Sequence, residues 1–272
     1  MKKRGFTLAE VLITLGIIGV VAALTAPSLV MNSRNESNAA KLAVTMSNLE
    51  NAFTNAIIQE DVDDLCKTSI WVTYITPNPS SQTINPAALV GNLNKYIHLN
   101  GYEKMGNASS FYSGTAWYKM NKTGGKGDVA TTDEKLGNVI TIYTKNGAVL
   151  FLDPKINGEE PKDAKTKDQI AELGGSLYKK AADLYIDVNG KTSPNTYGRD
   201  IFAFYVGTNG ILYPYGGLDA SIFDKGNASA VWNAKGEDGK SSSGDASCAD
   251  GEIGNGLGCT ARLIAESYKM NY

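Results

Sequence analysis

Histidine is almost missing from this chain: His98 is the single one in 272 residues. A histidine-based metal centre or a histidine-dependent triad would hang on that one residue, and neither HExxH nor CxxC occurs. Gly239-Lys240-Ser241 ends like a phosphate-binding loop, but the glycine needed five positions before Gly239 is Ala234. With catalytic signatures this sparse, the sequence reads as a non-enzyme. Excess positive charge is lacking too. The formal net charge is −2, which argues against nucleic-acid binding by bulk charge; the lysines around Lys119–Lys126 and Lys162–Lys167 read as solvated surface. The scarcity with the largest consequence is local. From Phe6 to Met31 there is one ionisable side chain, Glu10.

Three cations, Lys2, Lys3 and Arg4, stand before that apolar run. A carboxylate in a membrane-length segment is costly and is a functional hypothesis by default. An ordinary secretory signal peptide does not account for it, because Glu10 sits at the start of the apolar stretch and no A-x-A cleavage site follows. A plain membrane anchor leaves the acid without a purpose, although the run to Met31 is long enough to span. A buried core helix leaves both the basic head and the acid unexplained. Gly19 with Ala23, and Ala22 with Ala26, form small-xxx-small pairs that let helices approach closely. Pro27 removes one helical hydrogen bond and is expected to kink the segment.

The string Lys-Lys-Arg-Gly-Phe-Thr-Leu-Ala-Glu followed by an apolar stretch resembles the prepilin signal of type IV pilins and of the pseudopilins of type II secretion. The resemblance implies cleavage after Gly5 by a prepilin peptidase on the cytoplasmic side and N-methylation of the new terminus, Phe6. It divides the chain into a leader (1–5), a hydrophobic transmembrane and assembly helix (6–31) and a globular pilin-like domain (32–272). Losing three cations takes the formal charge from −2 to −5. The basic leader keeps the N-terminus cytoplasmic, so the rest of the chain faces outward from the inner membrane, and later lies in a periplasmic or surface filament. Glu10 is the assembly residue under this reading: a neighbour's Phe6 ammonium is a partner of the right sign at the right depth. Such a head-to-tail contact need not close and generates a filament. The implied partners are other pilin or pseudopilin subunits, the prepilin peptidase, an inner-membrane assembly platform and the membrane. The competing reading is an anchored extracytoplasmic binding or enzymatic domain that never polymerises.

Past the membrane segment, Leu42, Met46, Leu49, Phe53, Ala56 and Ile57 recur every three or four positions, one face of an amphipathic helix. A helix from Phe6 to about Glu60 would be on the order of 80 Å long at 1.5 Å per residue. Val139–Asp153 reads as a hairpin turning at Asn146-Gly147, and Ile201–Gly216 as another turning at Asn209-Gly210. Asp183–Gly190 reads as a further strand. The expected fold is α+β: one long helix, membrane-spanning in its first half and amphipathic in its second, packed on an antiparallel sheet. Residues 80–137 read as a variable insertion of short helices and loops, and Asp168–Ala182 as a second helix interrupted by Gly174-Gly175.

Three cysteines allow three single bridges. Cys248 and Cys259 bracket a glycine-rich loop that costs little to close, and export would place them where disulfides persist. Their position resembles the cysteine-closed loop near the C-terminus of many type IV pilins. Cys66 reads as a buried thiol, with a bridge from it to either other cysteine left open. Asp187, Asn189, Asn195 and Asp200 offer several oxygens around a turn and form a calcium candidate, since some pseudopilins bind calcium in C-terminal loops. The EF-hand spacing is incomplete. The plainer reading is that Asp187 and Asn189 shape a turn while Asp200 pairs with Arg199 or caps a strand. No other cofactor is expected.

Overall fold

A computed structural model of the chain describes residues 7–72, 85–111, 117–120, 126–129, 138–159, 179–193, 195–217, 248–249, 252–253, 256–270 and 272. The first helix, α1 (Leu8–Gln59), runs without interruption through Pro27. Its two halves face different surroundings. Residues 8–34 are exposed throughout, whereas Ala39, Leu42, Thr45, Met46, Leu49, Ala52, Phe53 and Ala56 form a buried stripe. That spacing of three and four is the apolar face expected of a helix lying on a sheet. Beyond α1 the carboxylate of Glu60 accepts the Ser69 hydroxyl at 2.6 Å, the Tyr96 hydroxyl at 2.9 Å and the Ser69 backbone N–H. These bonds fold the following segment back beside the helix.

The rest of the described chain is built from α2 (Ser69–Val72), α3 (Pro86–Leu93), β1 (Leu99–Gly106), α4 (Ala108–Phe111), β2 (Tyr118–Met120), β3 (Lys126–Val129), β4 (Val139–Thr144), β5 (Val149–Glu159), β6 (Lys180–Asp187), β7 (Ile201–Gly207), β8 (Leu212–Pro214), β9 (Cys248–Ala249), β10 (Glu252–Ile253) and α5 (Cys259–Ala265). Six strands form one antiparallel sheet in the order β1-β4-β5-β6-β7-β8. The architecture is thus α+β, a long apolar N-terminal helix followed by an antiparallel sheet, consistent with a pilin-like fold. Both expected hairpins form, turning at Gly147 (φ +85°) and Gly210 (φ +81°), a backbone region that favours glycine.

Alternation along the strands divides two cores. Ile140, Ile142, Leu150, Leu152, Leu184, Ile186, Phe202 and Phe204 pack with the α1 stripe. Val149, Phe151, Tyr185, Ile201 and Ala203 point the other way, under Phe111, Trp117, Tyr197 and Leu257. Trp117 meets Phe151 edge-on at 5.1 Å and Tyr197 at 5.6 Å between ring centroids, an arrangement aromatic quadrupoles favour. Because both faces are covered, every residue of β6 and β7 is buried.

Three expectations need correction. Residues 80–137 are not merely helices and loops: they supply the edge strand β1 and the aromatic lid, Phe111 and Trp117, of the second core. The expected helix at 168–182 is wrong at its end, since Lys180–Ala182 belong to β6; residues 168–178 lie outside the described residues. Pairing of β6 on both sides, with β5 and β7, overrides the helix preference of Lys-Ala-Ala. Cys66 is half-buried, not buried.

Candidate functional site

The feature that sets this chain apart is the first half of α1. An 18-residue window has a mean hydropathy of 2.3 with none of it buried, so the helix is long and apolar enough to cross a membrane. Leu8 is 79% exposed and Leu24 75%. A surface of that extent left uncovered marks a membrane or protein contact.

At its tip the sequence Thr7-Leu8-Ala9-Glu10 closes a capping box. The Thr7 backbone N–H and hydroxyl both donate to Glu10 Oε2, at 2.7 and 2.8 Å, and Glu10 N–H donates to Thr7 Oγ1 at 3.3 Å. Two N–H groups that the helix itself leaves unpaired are satisfied reciprocally. A plain anchor therefore does gain something from Glu10, against the expectation that it gains nothing. The motif, threonine three residues before glutamate, was readable in the sequence. Gly5 and Phe6 lie outside the described residues.

Beside Gly198, Cys248 is joined to Cys259, with 5.1 Å between Cα atoms. The bridge ties β9 to the first turn of α5, and Arg262 reinforces it by donating from Nη1 to the Cys248 carbonyl at 2.8 Å. Backbones meet closely here. Gly256 has φ +93°, and a Cβ on it would lie 2.5 Å from the Tyr197 carbonyl oxygen, so no other residue fits. Cys66 is free. Burial, helped by the neighbouring Asp64 carboxylate, pushes its thiol up to about 12, which keeps it protonated and unreactive.

The structure brings the four calcium-candidate residues together and gives the Asp187 and Asp200 carboxylates N–H partners. Asp187 Oδ1 accepts the N–H groups of Asn189 at 3.0 Å and Gly190 at 2.8 Å. Asp200 accepts from Asn195 N–H at 2.8 Å, Thr196 N–H at 2.5 Å and Asn189 Nδ2 at 3.1 Å. The Asn195 amide nitrogen faces the carbonyls of Gly190 and Thr192, at 3.1 and 3.0 Å. Asn189 Oδ1 is the one buried oxygen of the set with no hydrogen-bond partner. Calcium takes 6–8 oxygens, whereas these carboxylates look into N–H donors. Among the described residues no group of three or more His, Cys, Asp or Glu is placed to hold a metal. As folded, Asp187 and Asp200 are engaged by N–H donors from 189–196 and brace the turn there.

That bracing has a pH signature. Burial pushes the Asp200 carboxyl up to about 6, overcoming the N–H donors from Thr196, Asn195 and Asn189 that pull it down. The folded chain then holds this proton more tightly than the unfolded chain from about pH 4 to about pH 6, so this group's contribution to stability falls as pH rises through that window. Asp200→Asn is expected to lower stability overall, through lost acceptors, and to flatten that slope. Urea midpoints measured from pH 4 to pH 7 would show it; an unchanged slope would refute the assignment.

Two clusters had no forewarning in the sequence because strand register assembles them. Lys155 lies 2.5 Å from Asp153 and 3.3 Å from Asp183, and the buried Lys180 lies 3.2 Å from Asp183. The second is a polar groove beside α1, described below. His98, the only histidine of the chain, is exposed on that groove.

No curated protein and no solved structure matches the chain. Over residues 1–26 it matches the prokaryotic N-terminal methylation motif, the prepilin-type signal of type IV pilins and pseudopilins, and that match supports a type IV pilin-like precursor.

Proposed function

We propose that the chain is a structural subunit of a type IV pilus or a type II secretion-like pseudopilus. A prepilin peptidase cleaves it after Gly5 and methylates Phe6, and the mature subunits polymerise through the N-terminal half of α1. The observation that carries this reading is the division of α1: one unbroken helix, fixed to the domain by its second half and wholly uncovered along its apolar first half, beginning within the methylation motif. In the membrane the uncovered half lies in lipid. In a filament it is covered by the same half of other copies, with Glu10 matched to a neighbour's Phe6 ammonium. The domain, with its disulfide, stands outside the cytoplasm.

A second reading has one observation in its favour. The capping box gives Glu10 a use within a single chain, so an anchored domain that does not polymerise accounts for the acid as well. Processing and assembly are tested together. Intact mass of the membrane-extracted chain should correspond to a start at N-methyl-Phe6, and sheared filaments should pellet when the assembly machinery is present. A mass retaining Met1–Gly5 in a host with active prepilin peptidase would remove the pilin reading. Correct processing with no filaments would favour the anchored domain.

A further inference from the structure

A groove beside α1 is not used by the assembly reading. It has a volume of about 390 Å³ and lies between Asn48 and Asn51 of α1, Tyr96 and His98 ahead of β1, and Lys145 and Asn146 at the β4–β5 turn. Its floor is fixed. Asn146 Nδ2 donates to Thr45 Oγ1 at 2.8 Å, while Asn146 Oδ1 accepts the Thr144 hydroxyl at 2.5 Å and Ala148 N–H at 3.2 Å. The Tyr96 hydroxyl is held by Glu60. Its rim is unspent. The side chains of Asn48, His98 and Lys145 are exposed and make no hydrogen bond or ion pair with another described residue. A rigid floor with available polar groups at the rim is the arrangement that loses least on binding.

The chemistry of the lining selects the ligand. Side-chain amides donate and accept at once, as sugar hydroxyls do, and Tyr96 with Ile97 gives an apolar patch for the C–H face of a ring. No carboxylate lines the groove, and its two ionisable groups besides tyrosine, Lys145 and His98, are both basic types. A phosphate-bearing ligand would call for a helix N-terminus or several cations. The volume is in the range of small-ligand pockets and takes about one or two sugar rings. We propose that this groove binds a carbohydrate, with preference for one that carries a carboxylate.

The test uses the full processed chain in a detergent without a sugar headgroup, titrated calorimetrically with digalacturonate and with cellobiose. Both should bind, digalacturonate more tightly. Asn48→Ala with Asn51→Ala, both on the exposed side of a helix, should weaken both probes by about three- to tenfold with an unchanged melting temperature. Lys145→Gln should weaken digalacturonate alone. Absence of binding by either probe at millimolar concentration overturns the proposal, as does binding that the double substitution leaves intact. A fall in filament yield of the double variant without any sugar binding to the wild type would make the groove a seam between copies instead.

Discussion

If the chain is the pilin subunit proposed above, replacing Glu10 with valine is expected to leave the protein in the membrane and its cleavage after Gly5 intact, while filament yield falls by about tenfold or more. Removing a carboxylate from an apolar segment makes insertion easier, and the scissile bond and basic head are untouched. In a filament, however, each neighbour's Phe6 ammonium would be buried without its partner, and an unmatched buried charge is far worse than a matched pair. The capping box demands a control, because Glu10→Val also removes an acceptor from Thr7. Thr7→Val takes away the hydroxyl while keeping the carboxylate. If Glu10 acts between chains, Thr7→Val should fray the first turn and cost filament yield much less. Sheared filament and membrane fractions, compared for wild type and both variants, decide it. Equal filament yield from wild type and Glu10→Val would sink the inter-subunit role; equal losses from both variants would reduce Glu10 to a helix cap.

The second large effect concerns how the domain grips the helix. Phe53→Ala should destabilise the domain by about 3–5 kcal/mol, the usual range for emptying an aromatic site in a core. Phe53 is 1% exposed, meets Trp71 edge-on at 6.1 Å and underlies the Gly210 turn, where a Cβ would be 3.1 Å from the Phe53 Cβ. A helix and a tight turn have little freedom to close that space. For a domain of this size the melting temperature should drop by about 10 °C. Leu24→Ala, on the same helix, should change the melting of dispersed subunits very little, because Leu24 is exposed. A small change for Phe53→Ala, or a large one for Leu24→Ala, would contradict the division of α1 into a docked and an uncovered half.

Much of this was legible in the residues. Periodicity located the helix and its buried face, from Leu42 to Ala56, because a 3.6-residue repeat survives whatever the helix packs against. The Asn-Gly turns located both hairpins because their backbone conformation restricts the residues that can sit there. Leu99–Gly106 escaped because an edge strand paired on one side, with register shifts and with Glu103 and Lys104 along it, carries no alternation to detect. Phe111 and Trp117 were visible as aromatics but not as a lid, since only strand register places Phe151, Tyr185 and Tyr197 beneath them. The members of the Asp200 network were singled out, and Asp187 does shape the turn at Asn189-Gly190, but the bonding of Asp200 was not legible: a buried carboxylate satisfied by backbone N–H groups looks, in sequence, like any aspartate in a turn. The capping box is different. Threonine and glutamate three apart stood in plain view, and the lone charge drew attention away from the short-range bond it makes.

The helix is also a lever. Among the described residues, the first hydrogen bond from α1 to the domain is made by Asn38 Nδ2, to the Arg199 carbonyl at 3.3 Å. Leu8 lies about 45 Å beyond it at 1.5 Å per residue. A tilt of about 5° at that joint swings the tip by about 4 Å, more than the reach of a hydrogen bond. Small errors in the fit of the outer domains are therefore magnified at the distant end. Conversely, a tip held in place allows each domain only a few degrees of play. In the filament proposed above, the stiffness of the joint at Asn38 and Arg199 would set how much misalignment a stack of such subunits tolerates before its inner contacts part.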